Sequence, residues 1–440
     1  MVIPPMDEKP HPDLQVSSQV RAGAKAERAL LLCVTSVGPA DAQAEETAES
    51  EFVALAEAAG VAVLAVVQAP LRRPHPAYLI HRGKLDELVA LVGHVAADVV
   101  LCNHPLAPGQ ERNLERALGV RVVDRNAVIL DIFASRARSF EGKLQVELAQ
   151  LKHLSSRLVG TWTHLERQRG GIGLRGPGES QLETDRRLVA QRIRLLQQRL
   201  GQVCAQRRQM RQGRSRSALP VVAVVGYTNA GKSTLFNLLT GADVVVKDQL
   251  FATLDPTVRR VALGEGAGAL LVDTVGFLRQ LPHQLVAAFQ ATLEEVARAD
   301  LLLHVVDASD PEHRQHRLAV EQVLQEIGAG DRPRLLVYNK IDRLGCPPGM
   351  ERDAQGAVRA VHVSAETTQG TALLCEAMRE HFFGTLECRE IHLGHGQGRL
   401  RAALHRLGGV REERCDEHGW CLAVALPRKS WEQLGEMGVG

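Results

Sequence analysis

The chain lacks any segment suited to crossing a bilayer as a helix: in 440 residues no stretch approaches ~18 uninterrupted apolar residues. Its first residues, "MVIPPMDEKPHPDLQ", have neither the apolar block nor the cleavage pattern of a secretory leader, so the cytoplasm is the expected compartment. The eight cysteines, at positions 33, 102, 204, 346, 375, 388, 415 and 421, form no Cys-x-x-Cys pair. Reduced thiols are expected rather than a disulfide framework, and Cys415 and Cys421, despite nearby histidines, match no common zinc-ligand spacing. Net charge is almost absent too, at +2. A last gap concerns chemistry. In "LLVDTVGFLRQLP", from Leu270, an Asp-x-x-Gly is followed by Phe277, where the best-known nucleotide hydrolases place a glutamine that orients the attacking water. A benzyl group neither donates to nor accepts from water, so either the chain is no hydrolase or another group aligns the nucleophile.

What is present is a soluble globular composition, 45% apolar and 24% charged. The length exceeds what one hydrophobic core supports, so two to four domains are expected. The small net charge hides a strong segregation. Between Lys152 and Arg216 basic residues outnumber acidic ones by eleven, nearly all of them arginine. A polyanion is the expected partner of such a surface.

Residues 1–27, rich in proline and polar groups, read as a disordered tail. Residues 28–140 alternate apolar runs with helical patterns: "ALLLCVTSV", an acidic helix from about Ala42 to Ala59, "VAVLAVVQ", a helix after Gly83, "ADVVLCN", a helix around Glu111, then "VRVVD". This predicts an N-terminal α/β domain around a mostly parallel sheet. Across 141–212 the period changes. Leu144, Leu148, Leu151, Leu158 and Leu165 share one heptad stripe, and Val189, Ile193, Leu196, Leu200 and Val203 form a second. They predict a long antiparallel helical hairpin whose first arm reaches ~35 Å at ~1.5 Å per residue. Its tip, "RQRGGIGLRGPGES", sets Arg167, Arg169 and Arg175 among glycines. Glycines allow close backbone approach and arginines supply forked donors for phosphates. "RQGRSRSALP" reads as a linker. A phosphate-binding domain follows at 218–386, with strands near Ala269, Leu301, Leu335 and Ala360, and then a small α+β unit at 387–440 with a hairpin in "VREERCDEHGWCLAVALP" and no visible chemistry.

Gly226, Tyr227, Thr228, Asn229, Ala230, Gly231, Lys232 and Ser233 fit G-x-x-x-x-G-K-[ST] between an apolar strand and a helix-compatible run that Thr234 continues. Backbone N–H groups in such a loop point at phosphate oxygens, and the helix N-terminus adds a favourable dipole. Lys232 is expected to neutralise the β and γ phosphates and Ser233 to ligate Mg²⁺. Asp273, Thr274, Val275 and Gly276 form the Asp-x-x-Gly, Asp273 reaching Mg²⁺ through water and the Gly276 N–H sensing the γ-phosphate. Between them, Phe251, Ala252, Thr253, Leu254 and Asp255 belong to a loop in which a threonine closes over Mg²⁺, Thr253 as first choice and Thr257 as second. Asn339, Lys340, Ile341 and Asp342 follow the strand "RLLVYN". An aspartate there accepts from both the ring N–H and the exocyclic amine of guanine, which favours GTP and GDP over adenine nucleotides. Val363, Ser364 and Ala365 open "VSAE", a loop whose backbone N–H near Ala365 is expected to reach the guanine carbonyl.

On these motifs the sequence resembles the translation-factor class of GTPases, and more closely the HflX family of ribosome-associated GTPases. The resemblance rests on "DIFASRARSFEGKLQVELAQLKHLSSRLVG", "RQRGGIGLRGPGESQLETDRR" and "LFATLDPTVRR", and runs from about Leu30 to about Phe383. It implies an N-terminal α/β domain, a helical hairpin and a G domain, with binding to the large (50S) ribosomal subunit and a role in splitting or rescuing stalled ribosomes under stress, or in ribosome assembly. It also implies hydrolysis without the glutamine, because the family belongs to GTPases with a hydrophobic residue in its place. Two substitutes are open: a group placed in trans by the ribosome, giving slow turnover that ribosomes stimulate, or K⁺ held by Asn229 beside the phosphates. The expected catalytic set is then Asn229, Lys232, Thr253 and Gly276, and the expected metal set Ser233, Thr253 and Asp273. Arg167, Arg169 and Arg175 are expected on ribosomal RNA, with no DNA partner and a monomer when free. Two departures, His81 in place of a family glycine and Asn126 in place of a threonine, weaken the case for a separate nucleotide activity of the N-terminal domain. A GTPase acting in tRNA or rRNA modification, and a signalling GTPase in loose peripheral contact with a membrane, stay open as alternatives.

Overall fold

The computed structural model describes residues 26–36, 42–71, 73–160, 177–214, 219–242, 250–251, 257–264, 267–279, 290–384, 386–406, 409–416, 419–427 and 431. They fall into two compact units that divide between Val203 and Cys204. Among them no helix is long and apolar enough to cross a membrane.

The first unit runs β1 (Arg28–Ser36), α1 (Ala42–Ala58), β2 (Ala62–Leu71), α2 (Arg82–Val95), β3 (Val99–Cys102), α3 (Pro108–Leu118), β4 (Arg121–Asp124), α4 (Arg125–Arg136), α5 (Phe140–Gly160) and α6 (Pro177–Arg214). Its four strands lie in the order β2-β1-β3-β4 and pair in parallel throughout. Helices therefore cover both faces, and β3 is buried at every position. Leu30, Leu32 and Val100 pack with Leu85, Leu88, Leu114 and Leu118 of α2 and α3. Helices α1 and α4 touch each other and the sheet, and their Phe52, Leu55, Ile129 and Phe133 are fully buried. Helix α4 went unforeseen, because its apolar stretch "AVILDIF" has no clean period; Asp124 starts it by accepting from the Ala127 N–H at 2.9 Å.

Helices α5 and α6 form the expected hairpin pair where they are described. Leu144 and Leu148 of α5 share one buried cluster with Leu196 and Leu200 of α6, and Leu151 and Ile193 pack against it. Arg192 pairs with Glu147 at 2.7 Å beside it. Helix α6 continues to Arg214, into the stretch read as a linker. The tip with Arg167, Arg169 and Arg175 lies outside the described residues.

The second unit contains β5 (Val221–Gly226), α7 (Lys232–Thr240), β6 (Thr257–Gly264), β7 (Ala267–Asp273), α8 (Gln290–Arg298), β8 (Leu301–Asp307), α9 (His313–Glu326), β9 (Arg334–Asn339), β10 (Gly349–Arg352), β11 (Val358–His362) and α10 (Thr371–Phe383). Then follow β12 (Leu386–Leu393), α11 (Gly398–Arg406), β13 (Val410–Asp416) and β14 (Gly419–Pro427). Its seven-stranded sheet has the order β10-β11-β9-β8-β5-β7-β6, parallel at the centre with antiparallel edges. Strand β5 is an unbroken apolar run because both of its faces are covered. Val222 and Val224 meet Leu235 and Phe236 of α7, while Leu335, Val337 and Val361 meet Leu374 and Met378 of α10. Each such side chain contributes roughly 1.5–3 kcal/mol by leaving water. That core fixes the strand ends, where the candidate residues lie. The last three strands form a separate antiparallel sheet, β12-β14-β13. Its β13–β14 hairpin agrees with the sequence reading, while β12 is an addition to it.

Candidate nucleotide site

Strand order reverses at β5, whose neighbours are β7 on one side and β8 on the other. In open α/β sheets the crevice at such a reversal, beyond the carboxyl ends of the strands, is where ligands are received. β5 ends at Gly226, β7 at Asp273, β8 at Asp307 and β9 at Asn339. Residues spread over more than a hundred positions of sequence thus converge on one rim.

The loop from Gly226 to Gly231 is held by its own geometry. Gly226 has φ 153°, and a Cβ there would overlap the backbone carbonyl of Val305 in β8. Asn229 sits in the left-handed region at φ 60°, which asparagine tolerates better than most residues. Helix α7 then begins at Lys232, with Ser233 and Thr234 in its first turn. Lys232 is buried, and its Nζ donates to the Tyr227 carbonyl at 2.6 Å. Burial pulls the ammonium down to about 8, Asp273 opposes the shift and Lys340 adds to it. A buried cation this close to titrating is well placed to meet an anion.

The Asp-x-x-Gly is laced to that loop. Ser233 Oγ donates to Asp273 Oδ2 at 3.0 Å, which brings a hydroxyl and a carboxylate together as hard oxygen donors of the kind Mg²⁺ takes. Thr274 Oγ1 donates to the Val224 carbonyl at 2.5 Å, and Val275 follows, half-buried. A Cβ on Gly276 would lie 2.9 Å from Thr228 Cγ2 and 3.2 Å from Lys232 Nζ, so only glycine lets this segment come so near. Phe277 is fully buried. Its N–H donates to the Gly226 carbonyl at 3.1 Å and its carbonyl accepts from the Thr228 N–H at 2.8 Å. Phe277 is therefore a staple between the two loops, and its ring is packed away from solvent rather than set to align a water.

Past the staple lies a contact that the sequence reading missed. Arg279 donates from its backbone N–H to the Tyr227 hydroxyl at 3.2 Å and from Nη2 to Glu312 Oε2 and Gln315 Oε1, both at 2.9 Å. Tyr227 in turn stacks on His316 of α9, with ring centroids 4.0 Å apart. Apart from Tyr227, which the phosphate-loop motif includes, no motif marks these residues, since the pairing joins positions some thirty to ninety apart.

On the other side Asn339 ties two loops together. Its Nδ2 donates to the Ala230 carbonyl and its Oδ1 accepts from the Ala365 N–H, each at 2.9 Å. The Ala365 amide, expected at the base, thus donates to Asn339 in this structure. Lys340 turns the chain at φ 64° and pairs with Asp307 at 2.7 Å, a carboxylate that the sequence reading also overlooked although it ends the apolar run "LLLHVVD". Ile341 is fully buried and its N–H donates to the Val363 carbonyl. Ser364, also fully buried, accepts from the Thr367 N–H at 3.1 Å. Asp342 Oδ1 is buried and, among the described residues, has no hydrogen-bond partner. An orphaned carboxylate oxygen is costly unless a ligand supplies the donors, and two N–H groups on one edge of guanine fit it.

Of the remaining expected residues, Phe251 is described, buried and at φ 57°, and Thr257 opens β6. Ala252, Thr253, Leu254 and Asp255 lie outside the described residues.

Comparison with known proteins gives the same assignment independently. Residues 46–134 match a family model described as the N-terminal region of a GTP-binding GTPase, residues 136–214 one described as its middle region, and residues 221–340 one described as a 50S ribosome-binding GTPase. The chain is 51% identical over 386 residues to GTPase HflX of Escherichia coli, covering 87% of this chain and 91% of that one. It is 50% identical to GTPase HflX of Magnetococcus marinus over 86% of this chain and 87% of that one. For GTPase HflX of Caldanaerobacter subterraneus the identity is 47%, over 93% of both. A solved structure of a GTP-binding protein from the archaeon Sulfolobus solfataricus in complex with GDP is similar over 80% of this chain and 98% of that one, at 24% identity and a TM-score of 0.42. Identity at the level of the three bacterial relatives, sustained over most of both chains, places this protein in the HflX family of GTPases.

Proposed function

We propose that this GTPase converts its nucleotide state into affinity for the large ribosomal subunit, acting to split or rescue stalled ribosomes or to assist their assembly. The observation that carries the nucleotide half is the buried, unpartnered Oδ1 of Asp342 beside the closed Asn339 network. Asp342 selects guanine, Lys340 and the Val363–Ala365 loop flank the base, and Asn339 keeps the base loop and the phosphate loop in register. Lys232 and the amides of the 226–231 loop take the phosphates. Ser233 and Asp273, with Thr253, are the residues to hold Mg²⁺, which when bound supplies positive charge to the phosphate oxygens. Gly276, held against Thr228 and Lys232, reports the γ-phosphate to the segment beyond Phe277. Because the Phe277 ring is buried, the aligning group for water comes from elsewhere: a ribosomal group in trans, or K⁺ at the exposed Asn229 on the loop apex.

The ribosomal half is supported by the family model matched at 221–340, described as a 50S ribosome-binding GTPase, and by the arginine excess of the hairpin, whose Arg167, Arg169 and Arg175 suit RNA phosphates. A switch of this kind needs the two nucleotide states to differ in ribosome affinity, since a ligand shifts an equilibrium only by its differential binding. Co-sedimentation with purified 50S subunits should be at least about tenfold tighter with a non-hydrolysable GTP analogue than with GDP, an energy difference of ~1.4 kcal/mol. Equal affinities would refute the switch. Replacing the three tip arginines should weaken sedimentation and flatten its salt dependence while leaving GTP affinity unchanged. Hydrolysis rates that are identical in KCl and NaCl would remove the cation from the mechanism.

A further inference from the structure

The C-terminal sheet sorts its side chains by face, as an antiparallel sheet must. Ile391 and Leu393 of β12 and Leu422 and Val424 of β14 point inward, against Leu404 of α11 and Trp431. The alternating residues lie on the opposite face, and Glu390, His392 and Cys421 are among them. In the register His392 stands directly across from Cys421, with Glu390 two residues away along the same strand. Opposed residues on one face hold their Cβ atoms ~4.5–5.5 Å apart. Here a carboxylate oxygen, an imidazole nitrogen and the thiol sulfur all lie within 4.8 Å of one another. Backbone pairing, rather than the chance meeting of long surface side chains, sets that spacing.

Thiolate, imidazole and carboxylate are the three ligand types that zinc takes, and three protein ligands plus water is one of its common arrangements. Among the described residues nothing competes for the His392 ring, which has no hydrogen-bonding, ionic or aromatic partner. Cys421 Sγ donates to Glu390 Oε1 at 3.1 Å, so two of the three donors already converge. Arg414 stands across from Cys421 on β13 and extends its side chain into solvent, where it pairs with Glu412, so it does not cover the group. Cys388 is on the same face but two residues beyond Glu390, outside the group.

We propose that Glu390, His392 and Cys421 form a surface site for a thiophilic divalent cation of the zinc class, with the fourth position open to water. Binding releases the thiol proton to solvent and exchanges the Cys421–Glu390 hydrogen bond for bonds from both groups to the cation. The cation would clamp β12 to the central strand β14 on the face away from α11.

The probe is Co²⁺, titrated into full-length, reduced, nucleotide-free protein. Expected are a sulfur-to-cobalt charge-transfer band and intense visible bands of a four-coordinate site, saturating at one equivalent and displaced by Zn²⁺. Cys421→Ser should abolish the charge-transfer band. His392→Asn and Glu390→Gln, both at exposed positions, should each weaken binding by at least about tenfold, since even groups outside a ligand set cost that much. Cys388→Ser and Cys415→Ser should change nothing. Unaltered GTP affinity in each variant reports that the chain is folded. No sulfur-to-cobalt band in the parent protein, a band that survives Cys421→Ser, or His392→Asn binding as tightly as the parent would each overturn the site.

Discussion

Among the described residues two sheets are parallel at their centres and carry an aspartate at or just beyond the carboxyl end of a strand, Asp124 after β4 and Asp342 after β9, and they treat that carboxylate in opposite ways. Asp124, at the end of β4, is enclosed by its own unit: it accepts from the Ala127 and Leu106 amides and pairs with Arg157 at 2.8 Å. Arg157 also pairs with Glu111, and His153 lies 3.9 Å from Asp124. In the second unit the segments beyond the strand ends carry a glycine loop, a buried lysine whose ammonium is pulled down to about 8, and an orphaned aspartate oxygen at Asp342. The architecture is shared, but the Asp124 carboxylate is met from within its own unit, whereas Asp342 Oδ1 has no hydrogen-bond partner among the described residues. Function resides in what the strand ends present, not in the sheet that presents them.

Substitution of Lys232 should sharpen the contrast most. Lys232→Met is expected to weaken GTP binding by more than about a hundredfold, because charge-assisted bonds to phosphate contribute ~1.5–3 kcal/mol each. The nucleotide-free protein should unfold at the same temperature or higher, since a buried ammonium is exchanged for an apolar chain of similar length. Titration with a fluorescent GTP analogue and thermal unfolding measure the two effects. A joint loss of binding and stability would mean that Lys232 serves the fold and not the ligand.

The converse change tests the closed sheet. Arg157→Met leaves Asp124 and Glu111 without their shared cation, and breaking a buried pair costs roughly 3–5 kcal/mol. Arg157→Met combined with Asp124→Asn should recover part of that, and neither variant should alter GTP affinity. If GTP affinity follows the stability of the first unit, the two strand ends are not independent.

The difference between the two sheets was only half legible in the sequence. The phosphate loop, Asp-x-x-Gly and Asn339-Lys340-Ile341-Asp342 are local in sequence, so residue type and spacing alone pick them out, and the structure brings them to one rim of the sheet. The alternation of apolar runs predicted the N-terminal parallel sheet for the same reason, and the heptads predicted helices α5 and α6. Pairings across long stretches left no mark: Arg279 with Glu312, Tyr227 on His316, Lys340 with Asp307, Arg157 with Asp124. Each depends on which helix packs on which face, and that is a property of the core. His392 opposite Cys421 escaped for a related reason, since spacing rules for metal ligands see one segment at a time while sheet register joins two. Edge strands β6 and β10 were missed: in β6 only Val261 and Leu263 are buried, and β10 is four residues long with Met350 its one large apolar side chain.

Base selection should show a smaller effect than either charge deletion. Asp342→Asn puts an amide donor where guanine also presents a donor. It should cost ~2 kcal/mol of GTP affinity and transfer the preference to xanthosine triphosphate, whose carbonyl accepts from that amide. Competition between the two nucleotides measures it. An unchanged preference for GTP would assign the orphaned Asp342 oxygen some role other than reading the base.

The subtlest test uses pH alone and asks whether the open strand ends are held in readiness by a buried cation that no carboxylate neutralises within hydrogen-bond distance among the described residues. In the free protein Lys232 is pulled by burial from 10.5 to about 8. Its folded value lies below its unfolded one, so the charged form burdens the nucleotide-free fold at every pH below about 8. That burden lifts as pH climbs from 8 toward 10.5, so the free protein gains stability across this window. Phosphate oxygens reverse the shift, so above pH 8 binding must take up a proton. GTP affinity should be level below pH 7 and about tenfold weaker at pH 9, because only about a tenth of the free protein then carries the charge. Calorimetry in buffers of different ionisation heat counts that proton directly: a value near zero at pH 7 and approaching one at pH 9. Asp342→Asn should keep the slope at lower affinity, since the base contact lies apart from the ammonium. Lys232→Met should lose the slope, and a parent protein with flat affinity and no proton uptake would show that the buried amine is already as satisfied without phosphate as the carboxylate of Asp124 is by Arg157.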